Sequence, residues 1–185
     1  MIKITIVFVA FVKCIYSTTF TLRGFAGSIG DPFSDNGAGS IHSVDLSADE
    51  TKVVVGTTQP AINIFDFVGQ TLICAYSASS NVEVVRFSHD GTYVAASYLT
   101  DDLIFISASD CSLIQTLATG HGGILDLDFN SDSTKLVTCG SDNSFKTWNV
   151  PALTADLSIL RPPNVRQCRY TYDDWIYLGE DNGIL

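Results

Sequence analysis

Three histidines, His42, His89 and His121, and a regular series of aspartates are the residues in this 185-residue chain whose types could do chemistry. Zinc-dependent hydrolysis would need paired histidines, yet no His-x₃-His spacing occurs, and neither Gly-x-Ser-x-Gly nor His-Glu-x-x-His is present. Asp49, Asp90, Asp132 and Asp173 could suggest calcium, which takes several carboxylate and carbonyl oxygens. Each stands with only one or two acids beside Gly, Ser or Thr, the composition a tight hairpin requires for its own backbone, so they are read as turn residues. Asp101-Asp102 is read as a solvated loop. Gly24, Gly27 and Gly30 lack the Lys-Ser/Thr and the helix N-terminus that a phosphate cradle needs. Catalytic residues, metal and cofactor are therefore all expected to be none.

The elements that position these residues recur. VDLSADETKVVVG, VRFSHDGTYVAAS, LDFNSDSTKLVTC and CRYTYDDWIYLGE share one register, in which an alternating apolar strand meets a polar turn carrying Asp and then a second strand. The anchoring aspartates lie 41, 42 and 41 residues apart. In the second unit, strands are predicted at Val82–Ser88, Tyr93–Tyr98, Leu103–Ala108 and Ser112–Thr119. Four such strands make one antiparallel sheet with two apolar faces, and sheets of this kind stack radially into a β-propeller. The predicted fold class is all-β, an incomplete propeller of about 3.5 four-stranded blades.

The stretch GHGGILDLDFNSDSTKLVTCGSDNSFKTWN resembles the WD-repeat (WD40) family, with Gly120-His121 opening a blade and Trp148-Asn149 where the family has Trp-Asp. The resemblance runs from Ile41 to the C-terminus and is strongest in this unit. It implies a buried structural relay of His121, Thr138, Asp142 and Trp148, in which the imidazole bridges carboxylate and hydroxyl and the hydroxyl meets the indole nitrogen. One repeat earlier, Thr138 and Trp148 become Ala96 and Ile106, and two repeats earlier Val55 and Phe65, so those blades keep the apolar packing and lose the relay. Aligning GEDNGI on GSDNSF places Gly179 on Gly140 and Asp181 on Asp142, which puts Leu185 at the start of a third strand. The expectation is a fragment of a longer product, or a half-propeller completed by another chain, because propellers close with about four to eight blades.

With 10 Lys+Arg against 20 Asp+Glu, nucleic acid and anionic lipid are disfavoured as partners. Residues 1–17 read as a secretory signal, with Lys3 followed by an apolar run from Ile4 to Val12; the alternative is a buried strand. That run is about half of a membrane span, and no later segment is apolar enough to cross a bilayer. Residues 18–40 read as a strand and Gly-rich linker, and residues 41–185 as blades at 41–80, 81–120, 121–163 and a partial 164–185. If the signal is removed, Cys74, Cys111, Cys139 and Cys168 remain, an even number that permits disulfides and equally suits buried thiols. A secreted or endomembrane-lumenal location follows if the signal operates, and a cytoplasmic one otherwise.

The expected function is a non-catalytic scaffold that binds a protein or peptide partner, as the resemblance implies. Its loops between second and third strands make Gln59, Leu99, Thr100 and Asn143 the partner-binding candidates. Open blade edges would allow self-association. The alternatives are a secreted propeller hydrolase of lactonase-like type and a truncated product without independent function.

Overall fold

In a computed structural model, residues 40–58, 60–98, 100–160 and 165–180 are described. The chain divides into two units, Met1–Pro32 and Phe33–Leu185, and every described residue belongs to the second. The signal and most of the linker therefore lie outside the described residues. So do Gln59, Leu99 and the terminal DNGIL.

Fourteen strands are described. The first blade is β1 (Ile41–Leu46), β2 (Lys52–Thr57), β3 (Ala61–Asp66) and β4 (Leu72–Ser77). The second is β5 (Val82–Phe87), β6 (Tyr93–Tyr98), β7 (Asp102–Ser107) and β8 (Leu113–Ala118). The third is β9 (Ile124–Phe129), β10 (Lys135–Gly140), β11 (Ser144–Asn149) and β12 (Thr154–Leu160), and a hairpin of β13 (Val165–Tyr170) and β14 (Ile176–Glu180) follows. Each sheet is antiparallel with its strands in chain order. This is the all-β propeller-blade architecture read from the repeat, and the predicted strands of the second unit shift by one residue at most.

The first strands of successive sheets lie against one another, β1 on β5, β5 on β9 and β9 on β13, so they form the inner wall. Three apolar cores lie between blades. Val54, Ile62 and Ile64 of the first blade meet Val85, Ala96 and Ile104 of the second. Phe105 of the second stands 6.3 Å, centroid to centroid, from Phe129 of the third. Val137, Cys139 and Phe145 of the third meet Val165, Cys168 and Leu178 of the hairpin. Both faces of a blade are thus apolar because each face is someone else's neighbour.

Asp49, Asp90 and Asp132 serve their own hairpins, whereas in the fourth turn Asp174 accepts from Ser131 of the third blade. Asp49 accepts from the Ser47 hydroxyl at 2.6 Å and from the Thr51 N–H at 3.1 Å. Asp90 accepts from Ser88 and Thr92 in the same way, and Asp132 from the Thr134 N–H and hydroxyl. These bonds favour the ionised form and hold the Asp49 carboxyl down at about 2. The residue that takes positive φ in each turn is Glu50, Gly91, Ser133 and Asp174.

The fourth hairpin departs from the alignment read from the sequence. Tyr170 pairs with Ile176, whereas Phe129 pairs with Leu136, so one fewer residue is enclosed and the position of Thr134 has no counterpart. Leu178 consequently stands opposite Cys168 as Thr138 stands opposite Leu127, and Gly179 takes the place of Cys139, not Gly140. A repeat phrase aligned by its letters missed a deletion that strand pairing reveals.

The cysteines divide. Cys74 in β4 and Cys111 in the β7–β8 turn form a disulfide between the first two blades, with Cα atoms 5.7 Å apart. Cys139 and Cys168 are free and buried, both directed at the Asp126 carbonyl. Burial and the neighbouring Cys139 thiol push the Cys168 thiol well above its ordinary range, so it stays protonated.

Candidate functional site

Chain direction in each blade sends both the loop from second to third strand and the connection between blades to one end of the inner wall. Most inner-strand positions are buried or half-buried, but each strand also carries a β-bulge at its second residue. The register slips between Ile41 and Ser43, between Val82 and Val84, at Leu125, and between Val165 and Gln167. A bulge adds one residue and re-aims its side chain. The bulged residues are His42, Glu83, Leu125 and Arg166, again 41 or 42 apart. His42 Nδ1 lies 3.3 Å from Glu83 Oε2, an ion pair when the imidazole is protonated. A shallow depression of about 320 Å³ opens between Glu83 and Leu125.

The loops around this mouth are held by buried polar groups of the third blade. Trp148 Nε1–H donates to Thr138 Oγ1 at 2.9 Å, and Thr138 Oγ1 lies 2.8 Å from His121 Nε2. The ionised Asp142 can only accept, so Nδ1–H donates to its Oδ1 at 2.8 Å, and the neutral imidazole then accepts at Nε2 from the Thr138 hydroxyl. The chain of bonds has one polarity from indole to carboxylate. Ser144, absent from the relay read in the sequence, closes it: its hydroxyl donates to Asp142 Oδ2 at 2.7 Å and lies 3.2 Å from His121 Nδ1. Gly140 is required beside it, since a Cβ there would stand 2.3 Å from His121 Cβ.

Asp101 of the second blade completes the clamp. Its carboxylate accepts from the N–H groups of Gly120 and His121, each at 2.6 Å, and from the Thr119 hydroxyl at 2.7 Å. It is a structural anchor and not the solvated loop residue expected. Burial acts to raise its pKa, and the hydrogen bonds from Thr119, His121 and Gly120 outweigh it, so the net direction is down. Thr100 and Asn143 flank the mouth in the two loops between second and third strands, Asn143 at positive φ.

Electrostatics give this clamp a pH signature. Burial lowers the His121 pKa below 6.5 despite Asp142. Burial acts to raise Asp142, but hydrogen bonds from His121 and Ser144 bring it to about 2 from 3.8. Both folded values lie below the unfolded ones, so the unfolded chain binds more protons and stability falls on acidification. The expected result is loss of stability as pH drops below 6.5, with a further loss from about 4 towards 2. Urea unfolding at pH 7.5, 5.5, 4 and 2.5 checks this, and His121→Leu should flatten the upper part of the curve.

A second network was not read from the sequence. Inner-strand positions 45, 86, 128 and 169 alternate Asp, Arg, Asp, Arg. The Phe87 N–H donates to Asp45 at 2.8 Å and the Tyr170 N–H to Asp128 at 2.9 Å, while the Val85 N–H donates to Ser43 and the Cys168 N–H to Asp126. All four bonds span 42 residues, linking odd blades to the even blades that follow. Asp126, almost fully buried, also receives Arg86 at 3.3 Å and Arg169 from the other side. His89, read as a plain turn residue, bonds through Nδ1 to the Asn130 carbonyl of the next blade at 3.0 Å.

Residues 111–149 match the family model described as WD domain, G-beta repeat. The solved structure titled "Structure of U3-55K" is similar at 18% identity and TM-score 0.68, over 72% of this chain and 43% of that one. "Crystal structure of RRP9 WD40 repeats" is similar at 14% identity and TM-score 0.69, over 79% of this chain and 52% of that one. The chain thus spans about half the length of these structures, and the likeness is one of fold. No curated protein sequence matches.

Proposed function

Because this chain is built of WD-type propeller blades, we propose that it is a non-catalytic binding module that holds a protein or peptide partner at the mouth of its inner wall. The observation that carries this reading is the ring of bulged residues His42, Glu83, Leu125 and Arg166, which adds side chains of four different chemistries to an otherwise structural wall. Thr100 and Asn143 belong to the rim. The expected result of Thr100→Arg with Asn143→Arg is loss of at least one partner that the parent captures and that Thr154→Arg, on the exposed outer strand β12, retains. The same partners on all three proteins, with unchanged melting, would contradict the assignment.

The face of β14 turned from the third blade is proposed to receive a further blade, from this or a second polypeptide. Val54, Ala95 and Val137 occupy that position in the first three blades and are fully buried, whereas Tyr177 is 57% exposed. Maturation is proposed to occur in an oxidising compartment. The Cys74–Cys111 disulfide and the apolar run behind Lys3 both support it. Alkylation of the native protein without reductant should leave Cys74 and Cys111 unlabelled and joined in one peptide pair; labelling of both would favour the cytoplasm.

A further inference from the structure

We propose that the depression between the second and third blades seats one cationic side chain, lysine or arginine, of the bound partner. This rests on the protein-binding reading and names the chemistry recognised. At about 320 Å³ the depression sits at the small end of ligand sites, which run from about 300 to 1,000 Å³, so it fits a side chain and not a cofactor. Its lining is mostly apolar, with the buried Val84 and Ile124 beside Leu125. Glu83 and Ser141 are its polar side chains. A methylene stem laid on apolar surface with a charged head beside a carboxylate is the arrangement that long basic side chains adopt.

Gly122 and Gly123 line it with backbone alone. Gly122 and Gly123 both have positive φ, where other residues would be strained, and a Cβ on Gly122 would stand 3.6 Å from Ser141 Oγ and narrow the opening. Ser141 is fixed by its N–H, which donates to the Gly123 carbonyl at 3.0 Å, and by its hydroxyl, which donates to the His121 carbonyl at 3.1 Å. Glu83 is the charged residue among those that line the depression, and none of them is basic. Its contact with His42 is a partly exposed pair, of a kind that contributes little and can be exchanged for a better donor. An anionic group would meet Glu83 unfavourably, and the net charge of −10 acts in the same direction at longer range.

The test titrates ¹⁵N-labelled protein with N-acetyl-arginine amide, with N-acetyl-norleucine amide as the uncharged control, on the parent and on Glu83→Gln. The proposal expects saturable shifts of the Gly122, Gly123 and Ser141 amides with the arginine probe alone. It expects about tenfold weaker binding to Glu83→Gln, which keeps an acceptor oxygen and turns a charge-assisted hydrogen bond into a neutral one. Equal shifts with norleucine, undiminished binding to Glu83→Gln, or no shift with arginine would each overturn it. A photo-cross-linker at position 125 distinguishes loss of the cationic site from loss of partner binding as a whole. A partner adduct there together with a silent arginine titration rejects the cationic site and keeps the protein-binding reading, whereas absence of any adduct counts against that reading itself.

Discussion

Replacing Asp126 by alanine is expected to remove about 3–5 kcal/mol of unfolding free energy, the cost of breaking a buried ion pair by deleting one partner. Asp126 stands where three blades meet. Its carboxylate takes Arg86 from the second blade, Arg169 from the fourth hairpin and the Cys168 N–H, and its carbonyl faces the two free thiols. Alanine would strand Arg86, whose side chain is only 18% exposed, and leave the inner strands β9 and β13 joined through fewer bonds. Domains of ordinary stability hold only about 5–15 kcal/mol, so this single change approaches the whole margin. Asp126→Asn keeps an acceptor and should lose less. Urea midpoints for the two variants check the claim; a loss under about 1 kcal/mol for alanine would mean that the arginines are already satisfied elsewhere.

Thr138→Val should cost about 2–4 kcal/mol, although it preserves shape. The hydroxyl is the only group that links the indole to the imidazole, so its removal leaves the Trp148 N–H and His121 Nε2 buried without partners, at about 1–3 kcal/mol each. The second blade makes the contrast. There Ala96 and Ile106 occupy the two positions in an apolar core, and neither brings a polar side-chain group that needs a partner. Trp148 is 5% exposed and Trp175 74%, so the fluorescence of the buried indole reports the third blade directly. A red shift and a lowered midpoint are expected in Thr138→Val. Wild-type stability would show that water or a rearranged Ser144 replaces the hydroxyl.

How far the fold could be read from the sequence follows from what a repeat makes visible. Strands and turns recur with the 41- and 42-residue spacing, and the apolar alternation of VEVVRF or ILDLDF marks them without help from tertiary structure. The four relay residues stand in one unit at family spacing, and the structure brings them into one hydrogen-bonded chain. Ser144 and Gly140 escaped because nothing local distinguishes them. Gly140 matters through the space His121 occupies, and Ser144 through a carboxylate two residues earlier. The alternation of Asp45, Arg86, Asp128 and Arg169 was present in the letters, but its meaning needs the inner strands to be neighbours, which only the stacking of sheets establishes. The pairing of Cys74 with Cys111 depends in the same way on an outer strand lying beside the next blade's turn. A single missing residue between Asp174 and Trp175 shifted the fourth hairpin by one, since letter matching scored Gly179 on Gly140 while backbone pairing decides register.

The central claim is that a partner is held at the mouth of the inner wall, around the bulged residues. Its most direct test places a photoreactive phenylalanine at position 125 and, separately, at position 155 on the exposed outer strand β12, and irradiates each protein in its native setting. The account predicts a discrete adduct from position 125, lost when Thr100 and Asn143 carry arginine, and none from position 155. An adduct from position 155 with none from position 125 would place binding on the outer strands and contradict it.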